Sequence, residues 1–261
     1  MSGCGYLDGT ECTEAVSFII HLKRKGFNVA YFTLDKTQEE VYDHVTKNLE
    51  KNEVRNMISE STRITRTAVQ KLDKLKPEEY EFLIVPGGYG VTKHLSNYDE
   101  SPTDFKIDET VEKVIRSFHE AEKPITMSCI APILVAKLFG TKNGGEGCTI
   151  TLGDDEEYVS QVEGYGSTLV LKSVNDVVVD EKNNFVSTPA YMDESANQVQ
   201  VYDAIGKAIE KTIGLTKKGE VDETDHSILI EHFQKICRTP EEFAEIKKKI
   251  EAATPSKSKK N

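Results

Sequence analysis

The chain is poor in the features that would place it in several common classes. Its five cysteines, at 4, 12, 129, 148 and 237, are odd in number and widely spaced. They form neither a CxxC pair nor a zinc-like cluster, which excludes a disulfide framework and a cysteine-built metal site and fits free thiols in a reducing compartment. Positive charge is in deficit: 33 basic residues face 44 acidic ones, a net charge of −11. That balance argues against nucleic acid or an anionic membrane as partner. No apolar run approaches the roughly 20 residues needed to span a bilayer, so a soluble protein is expected. Met1-Ser-Gly-Cys-Gly5 has neither the apolar core of a signal peptide nor an Arg-rich transit helix. Cytosol is therefore the expected location, with mitochondria the alternative if a leader is missing from the sequence.

What is present centres on Lys123 to Gly140. Ile125 to Ser128 has the length of a strand, whereas Ile133, Leu134, Val135 and Leu138 form a helical face that stops at Gly140. Cys129 falls on the turn between them. A thiol facing the first N–H groups of a helix is favoured as thiolate, the nucleophilic form. The competing reading is a small buried hydrophobe.

The rest of the chain supplies an alternation of helices and strands. Gly3 to Gly9 is a turn-rich loop, with Asp8 and Glu11 spaced as a capping box. A helix follows through Ala15, Phe18, Ile19 and Leu22, ended by Gly26. Asn28 to Thr33 is expected as a buried strand, and helical patches are expected over Glu39 to Leu49 and Met57 to Leu75. Arg55, Arg63 and Arg66 read as an anion-binding face or, the preferred expectation, as a solvated helix surface.

Phe82 to Val85 is a strand leading into Pro86-Gly-Gly-Tyr-Gly90. Paired glycines after a strand allow bare N–H groups to approach a ligand, as in an oxyanion hole, although a plain tight turn needs the same residues. A helix over Asp108 to Glu122 leads into the Cys129 strand. Strands are expected at Cys148 to Leu152, Thr168 to Lys172, Val177 to Asp180 and Phe185 to Ser187, then a helix from Glu194 to Ile213. Gly164 to Thr168 reads as a turn. This order predicts an α/β fold with a mostly parallel sheet, and the three loops should converge at the carboxyl ends of its strands. Residues 1–214 form the expected domain. Residues 215–261 are expected as a charged helical extension, with helices near Ile228–Cys237 and Pro240–Ala253 and a disordered basic tail.

Five stretches together carry a resemblance: Ser2-Gly-Cys-Gly with Asp8-Gly-Thr-Glu11 and Glu14-Ala15; Arg55-Asn56 with Glu60-Ser61; Pro86 to Gly90; Cys129-Ile-Ala-Pro132; and Thr188-Pro-Ala190. Over Ser2 to about residue 214 the chain resembles the ElbB-type glyoxalase-like proteins, a branch of the PfpI and class I amidotransferase-like superfamily. The resemblance implies a flavodoxin-like three-layer sandwich. It also implies Cys129 as nucleophile, Glu14 as the acid contacting the thiol, and Gly87, Gly88 and the Ile130 amide as the oxyanion site. No metal and no cofactor are implied. The implied activity is glutathione-independent conversion of glyoxal or methylglyoxal to a 2-hydroxy acid, by a homodimer. The alternative is a redox-sensing or stress-protective protein without turnover. Glu14 as an exposed helix carboxylate is the bland counterpart.

Two departures stand out. Many relatives have a histidine near the cysteine where this chain has Asp154, and the central strand expected before the Ser2 loop is missing, which points to a truncated sequence. Amidotransfer by a Cys-His-Glu triad is set aside, because none of the six histidines has a glutamate two residues on. His94, the one closest to an active loop, is expected at the surface.

Overall fold

In the computed structural model, residues 1–38 and 40–216 are described, together with Thr239, Ala244, Glu245 and Lys248. Met1–Thr216 is one compact unit and Lys217–Asn261 another. The helices expected at 228–237 and 240–253 and the basic tail lie outside the described residues.

The central sheet has four strands in the order Val178–Asp180, Phe185–Thr188, Ile125–Ser128, Leu83–Val85. Only the first pair is antiparallel, closed by the turn over Glu181 to Asn184; the others are parallel. Ile125–Ser128 is buried at every position, as a strand covered on both faces must be. One apolar cluster on the sheet gathers Phe105, Ile115 and Phe118 with Ile133 and Leu134. Phe18, Leu22, Val201, Ile205 and Ile209 form a second cluster, from the helices Cys12–Arg24 and Gln198–Leu215. Two clusters separated by a sheet make the three-layer arrangement, each layer burying one apolar stripe.

Several local expectations are corrected. Residues 40–49 contain no helix; Tyr42–Asp43 pairs antiparallel with Asn48–Leu49. The Asp43 carboxylate accepts from the Val45 and Thr46 amides, and Lys47 takes φ 59°. An aspartate turn of this kind competes directly with helix formation. The helix at Met57 ends at Thr65, because Arg66 adopts the left-handed conformation, φ 57°. Its surface is held by ion pairs of Arg55 and Arg63 with Glu60. An unforeseen helix covers Glu157–Tyr165, capped by Gly166 at φ 84°. The first helix is capped by Glu11, whose carboxylate accepts from the Glu14 amide at 2.7 Å, while Asp8 is fully buried and accepts from the Tyr42 amide.

The expected strand Asn28–Thr33 is reduced to Phe32–Thr33, paired parallel with Gln70–Lys71. An apolar groove of about 550 Å³ lies between residues 28–32 and the open flank of Leu83–Val85. Phe18, Leu22, Tyr31, Ile84, Ile115 and Phe118 line it. Without a strand there, residues 28–31 lack a ladder partner on that side and remain partly exposed. At one end the Met1 amino group donates to the Phe32 carbonyl at 3.1 Å, and desolvation lowers its pKa to about 6. A contiguous apolar groove in a folded chain should take up a hydrophobic dye. The native protein is therefore expected to enhance anilinonaphthalene sulfonate fluorescence while keeping its near-UV dichroism; no enhancement would show the groove closed in solution.

Candidate active site

The parallel strands Leu83–Val85 and Ile125–Ser128 run side by side, so the turns at their carboxyl ends, Pro86 to Gly90 and Cys129, emerge at the same edge. Cys129 leaves its strand abruptly. It takes φ 56°, the left-handed region, while its amide donates to the Thr188 carbonyl at 3.0 Å. Such a conformation costs a non-glycine residue on the order of 1 kcal/mol. It also turns the side chain away from the strand and toward the glycine loop.

Glu14 arrives from the first helix and is completely buried. Its Oε2 accepts from the Gly87 amide at 2.9 Å and from the Ser128 hydroxyl at 2.5 Å. Its Oε1 is buried without a hydrogen bond. The exposed-carboxylate reading of Glu14 is thereby excluded. Burial, reinforced by the neighbouring Glu11 charge, raises the Glu14 pKa to about 7, against the lowering effect of Ser128 and Gly87.

Gly87 explains the close approach of the two functional groups. A Cβ there would lie 2.4 Å from the Cys129 Cβ and 2.9 Å from Glu14 Oε2. Of the glycine pair, only Gly88 directs its N–H at the Cys129 sulfur, joined by the Ile130 N–H. The Gly87 amide is committed to Glu14 and Ser128. Gly88 has φ 98°, and a Cβ there would lie 2.3 Å from the Gly9 carbonyl oxygen and 2.4 Å from the Glu11 amide nitrogen, so a side chain is excluded twice over.

The expected acidity of the thiol is reversed. Burial pushes the Cys129 thiol well up, and the Glu14 carboxylate adds to this; the Gly88 and Ile130 amides only offset part of it. The helix meant to supply the acidifying dipole is short, Ile133–Leu138, and begins four residues past the sulfur. Dipole effects fade within a turn, so desolvation wins. Cys129 nevertheless keeps partial exposure as a residue, with protein atoms crowding its sulfur on the remaining sides.

Ser128, Tyr89 and Tyr158 escaped the sequence reading. Ser128 is adjacent to Cys129, and only the fold brings its hydroxyl to Glu14. Tyr89, 48% exposed, and Tyr158 lie within electrostatic range of the sulfur. Burial raises both phenols, Tyr158 to about 12. His94 is buried, not at the surface, its Nε2 2.9 Å from the Asp8 carbonyl. Asp154 is exposed. Among the described residues no group of three or more His, Cys, Asp or Glu side chains is placed to hold a metal ion, and no helix is long and apolar enough to cross a membrane.

Residues 5–194 match the family model for DJ-1/PfpI proteins. The chain belongs to the DJ-1/PfpI family. It is 36% identical over 227 residues to the mitochondrial ES1 protein homolog of Rattus norvegicus, covering 84% of this chain and 83% of the relative. The human glutamine amidotransferase-like class 1 domain-containing protein 3, mitochondrial, is also 36% identical, covering 84% of this chain and 82% of that protein. Among solved structures, an isoprenoid biosynthesis protein with an amidotransferase-like domain from Ehrlichia chaffeensis superposes with a TM-score of 0.72. It shares 32% identity over 82% of this chain and 96% of that one. The fold is accordingly the flavodoxin-like, class I amidotransferase-like sandwich. The names of the rat and human relatives carry a mitochondrial location, which leaves the cytosolic expectation without support.

Two expected outcomes test this geometry. Gly87→Ala should cost about 2–4 kcal/mol in chemical denaturation, since backbone and the Cys129 Cβ must both give way; an unchanged midpoint would contradict the close approach. Glu14 binds its proton more tightly folded than unfolded, so its contribution to stability is present below its unfolded value of 4.5 and lost as pH rises to about 7. Glu14→Gln should therefore gain on the wild type by on the order of 1–3 kcal/mol between pH 5 and pH 8. A gap independent of pH would place the carboxylate in water.

Proposed function

We propose that the chain is an ElbB-type, cysteine-dependent glyoxalase-like enzyme that converts glyoxal or methylglyoxal to the 2-hydroxy acid without glutathione. The observation carrying this reading is Glu14: a fully buried carboxylate with a pKa near 7, separated from Cys129 only by a glycine. A thiol raised by burial needs a base to remove its proton as it attacks, and a carboxylate titrating near neutrality suits that task.

In the proposed reaction, Glu14 takes the thiol proton while the sulfur adds to the aldehyde carbon. Glu14 passes that proton to the new alkoxide and is a carboxylate again, and the hemithioacetal oxygen rests against the Gly88 and Ile130 amides. Proton transfer from the aldehyde carbon to its neighbour, through Glu14, leaves a thioester on Cys129. One water molecule cleaves it, releasing the 2-hydroxy acid and the free thiol, so that substrate plus water equals product. Gly87 and Ser128 position the carboxylate and do not touch the substrate. No metal and no cofactor enter this scheme.

Methylglyoxal consumption, followed with product identification, tests the reading. Cys129→Ser should abolish turnover and Glu14→Gln should reduce it by about 10²–10⁴-fold. Wild-type rates should rise with pH through about 7 as Glu14 ionises. Turnover surviving both substitutions would remove the mechanism.

A second reading rests on one observation, the buried, protonatable Glu14 beside Cys129, whose carboxyl proton can bond an oxidised sulfur; the raised thiol weighs against it, because peroxide reacts with the thiolate. There the protein acts in stress protection, with Cys129 oxidised to the sulfinic acid and Glu14 donating a hydrogen bond to it. Selective peroxide oxidation at Cys129 without aldehyde turnover would favour this reading over the first. We also propose a homodimer in the mitochondrial compartment. Light scattering after size exclusion and fractionation of cells expressing the full-length protein address these two points, with a monomer or a cytosolic pool as the refuting results.

A further inference from the structure

Cys4 and Cys12 play no part in the proposed chemistry, yet their Sγ atoms lie only 3.6 Å apart. Both residues are partly exposed and free. Cys12 is the first residue of the Cys12–Arg24 helix, following its cap Glu11. Cys4 sits in the turn-rich loop, flanked by Gly3 at φ 91° and Gly5 at φ 105°. These two glycines fold the loop back so that its thiol meets the helix start.

The pair is chemically unequal. Either thiol can donate across this contact, and Cys12 Sγ also lies 3.8 Å from the Thr10 carbonyl, which takes the Gly5 amide; with the Cys4 S–H as donor, Cys12 is lowered to about 7 while Cys4 is raised. An acidified thiol at a helix start beside a protonated partner is the arrangement of an attacking and a resolving cysteine.

We propose that Cys4 and Cys12 form a peroxide-responsive dithiol that closes to an intramolecular disulfide, separate from the Cys129 site. The Cys12 thiolate attacks hydrogen peroxide: an S–O bond forms, the O–O bond breaks, and hydroxide leaves, taking the Cys4 proton to become water. The Cys4 thiolate then attacks the Cys12 sulfur, forming the S–S bond and breaking S–O. The sulfenic oxygen departs as a second water after taking up the proton that the Cys12 thiol had released. Two thiols and one peroxide thus become one disulfide and two waters, the sulfurs losing two electrons to the peroxide. The sulfurs must close from 3.6 Å to about 2.05 Å.

The bond would tie down a segment that touches the candidate active site. From Tyr6 to Glu11 the loop bonds to the glycine turn: the Tyr89 amide donates to the Tyr6 carbonyl, Gly90 to Gly9, and Glu11 to Gly87, at 2.8, 3.0 and 2.9 Å. A disulfide between Cys4 and Cys12 spans this whole contact and fastens both its ends.

Full-length reduced protein, treated with one equivalent of hydrogen peroxide and then alkylated and digested with trypsin, tests the proposal. No lysine or arginine precedes Lys23, so both cysteines fall in the peptide Met1–Lys23. That peptide should appear lighter by two hydrogen atoms and closed to alkylation, and dithiothreitol should restore it. It should oxidise about tenfold or more faster than Cys148, which is buried with its thiol raised to about 12. Cys4→Ser should leave Cys12 as a sulfenic acid trapped by dimedone. A Met1–Lys23 peptide carrying two alkyl groups after Cys129 has oxidised would overturn the proposal, as would Cys4 or Cys12 crosslinked between chains. Neither result bears on aldehyde turnover, which Cys129→Ser tests independently.

Discussion

One carboxylate oxygen holds this site together. Glu14 Oε2 receives hydrogen bonds from the Gly87 amide and the Ser128 hydroxyl, so a helix, a glycine turn and a strand end meet on a single atom. In water these bonds would contribute little; in a fully buried position they are what makes the carboxylate tolerable at all. Because burial and the Glu11 charge outweigh the Ser128, Gly87 and Tyr191 contacts, the group keeps its proton to near neutrality. The elevated pKa is thus a direct product of the packing that fixes the geometry. Burial sets the proton affinity, and the two hydrogen bonds that fix the geometry hold it down only in part.

The same constraint dictates residue types around it. Glu14 can reach Gly87 only if residue 87 has no side chain, and Cys129 can lie on the other side of Gly87 only for the same reason. The turn must then pass close to the Ser2–Thr10 loop, where Gly88 meets the Gly9 and Glu11 backbones and Gly90 meets Ser2. That loop is pinned in turn: the Ser2 amide donates to the Thr10 hydroxyl at 2.6 Å and the Gly3 amide to the Ser61 hydroxyl at 3.2 Å. The Ser-Gly-Cys-Gly and Pro-Gly-Gly-Tyr-Gly stretches are therefore two halves of one close-packed interface. Their glycines are spacers as much as turn formers.

Much of this was legible in the residues. The switch from strand to helix at Cys129, the glycine pair after Phe82–Val85 and the alternation of elements are local signals, and the parallel pairing they imply brings the loops to one edge. Glu14 was reachable only through resemblance, since no periodicity distinguishes it from Glu11. What was illegible depended on side chains overriding helical spacing. Asp43 turned an apparent helix into a hairpin, and Arg66 cut another at its ninth residue. The helix Glu157–Tyr165 has a weak stripe of apolar residues and two glycines at its end, which read as loop. Thiol acidity went astray because a dipole can be inferred from sequence, whereas desolvation by residues distant in the chain cannot.

The left-handed backbone at Cys129 has an implication for the residue it carries. At φ 56° a glycine would sit there without strain, so any side chain makes the turn worse. A sulfur at this position is thus borne by the fold at an expense of about 1 kcal/mol. Folding alone would favour glycine here, so the thiol is carried against the local backbone preference.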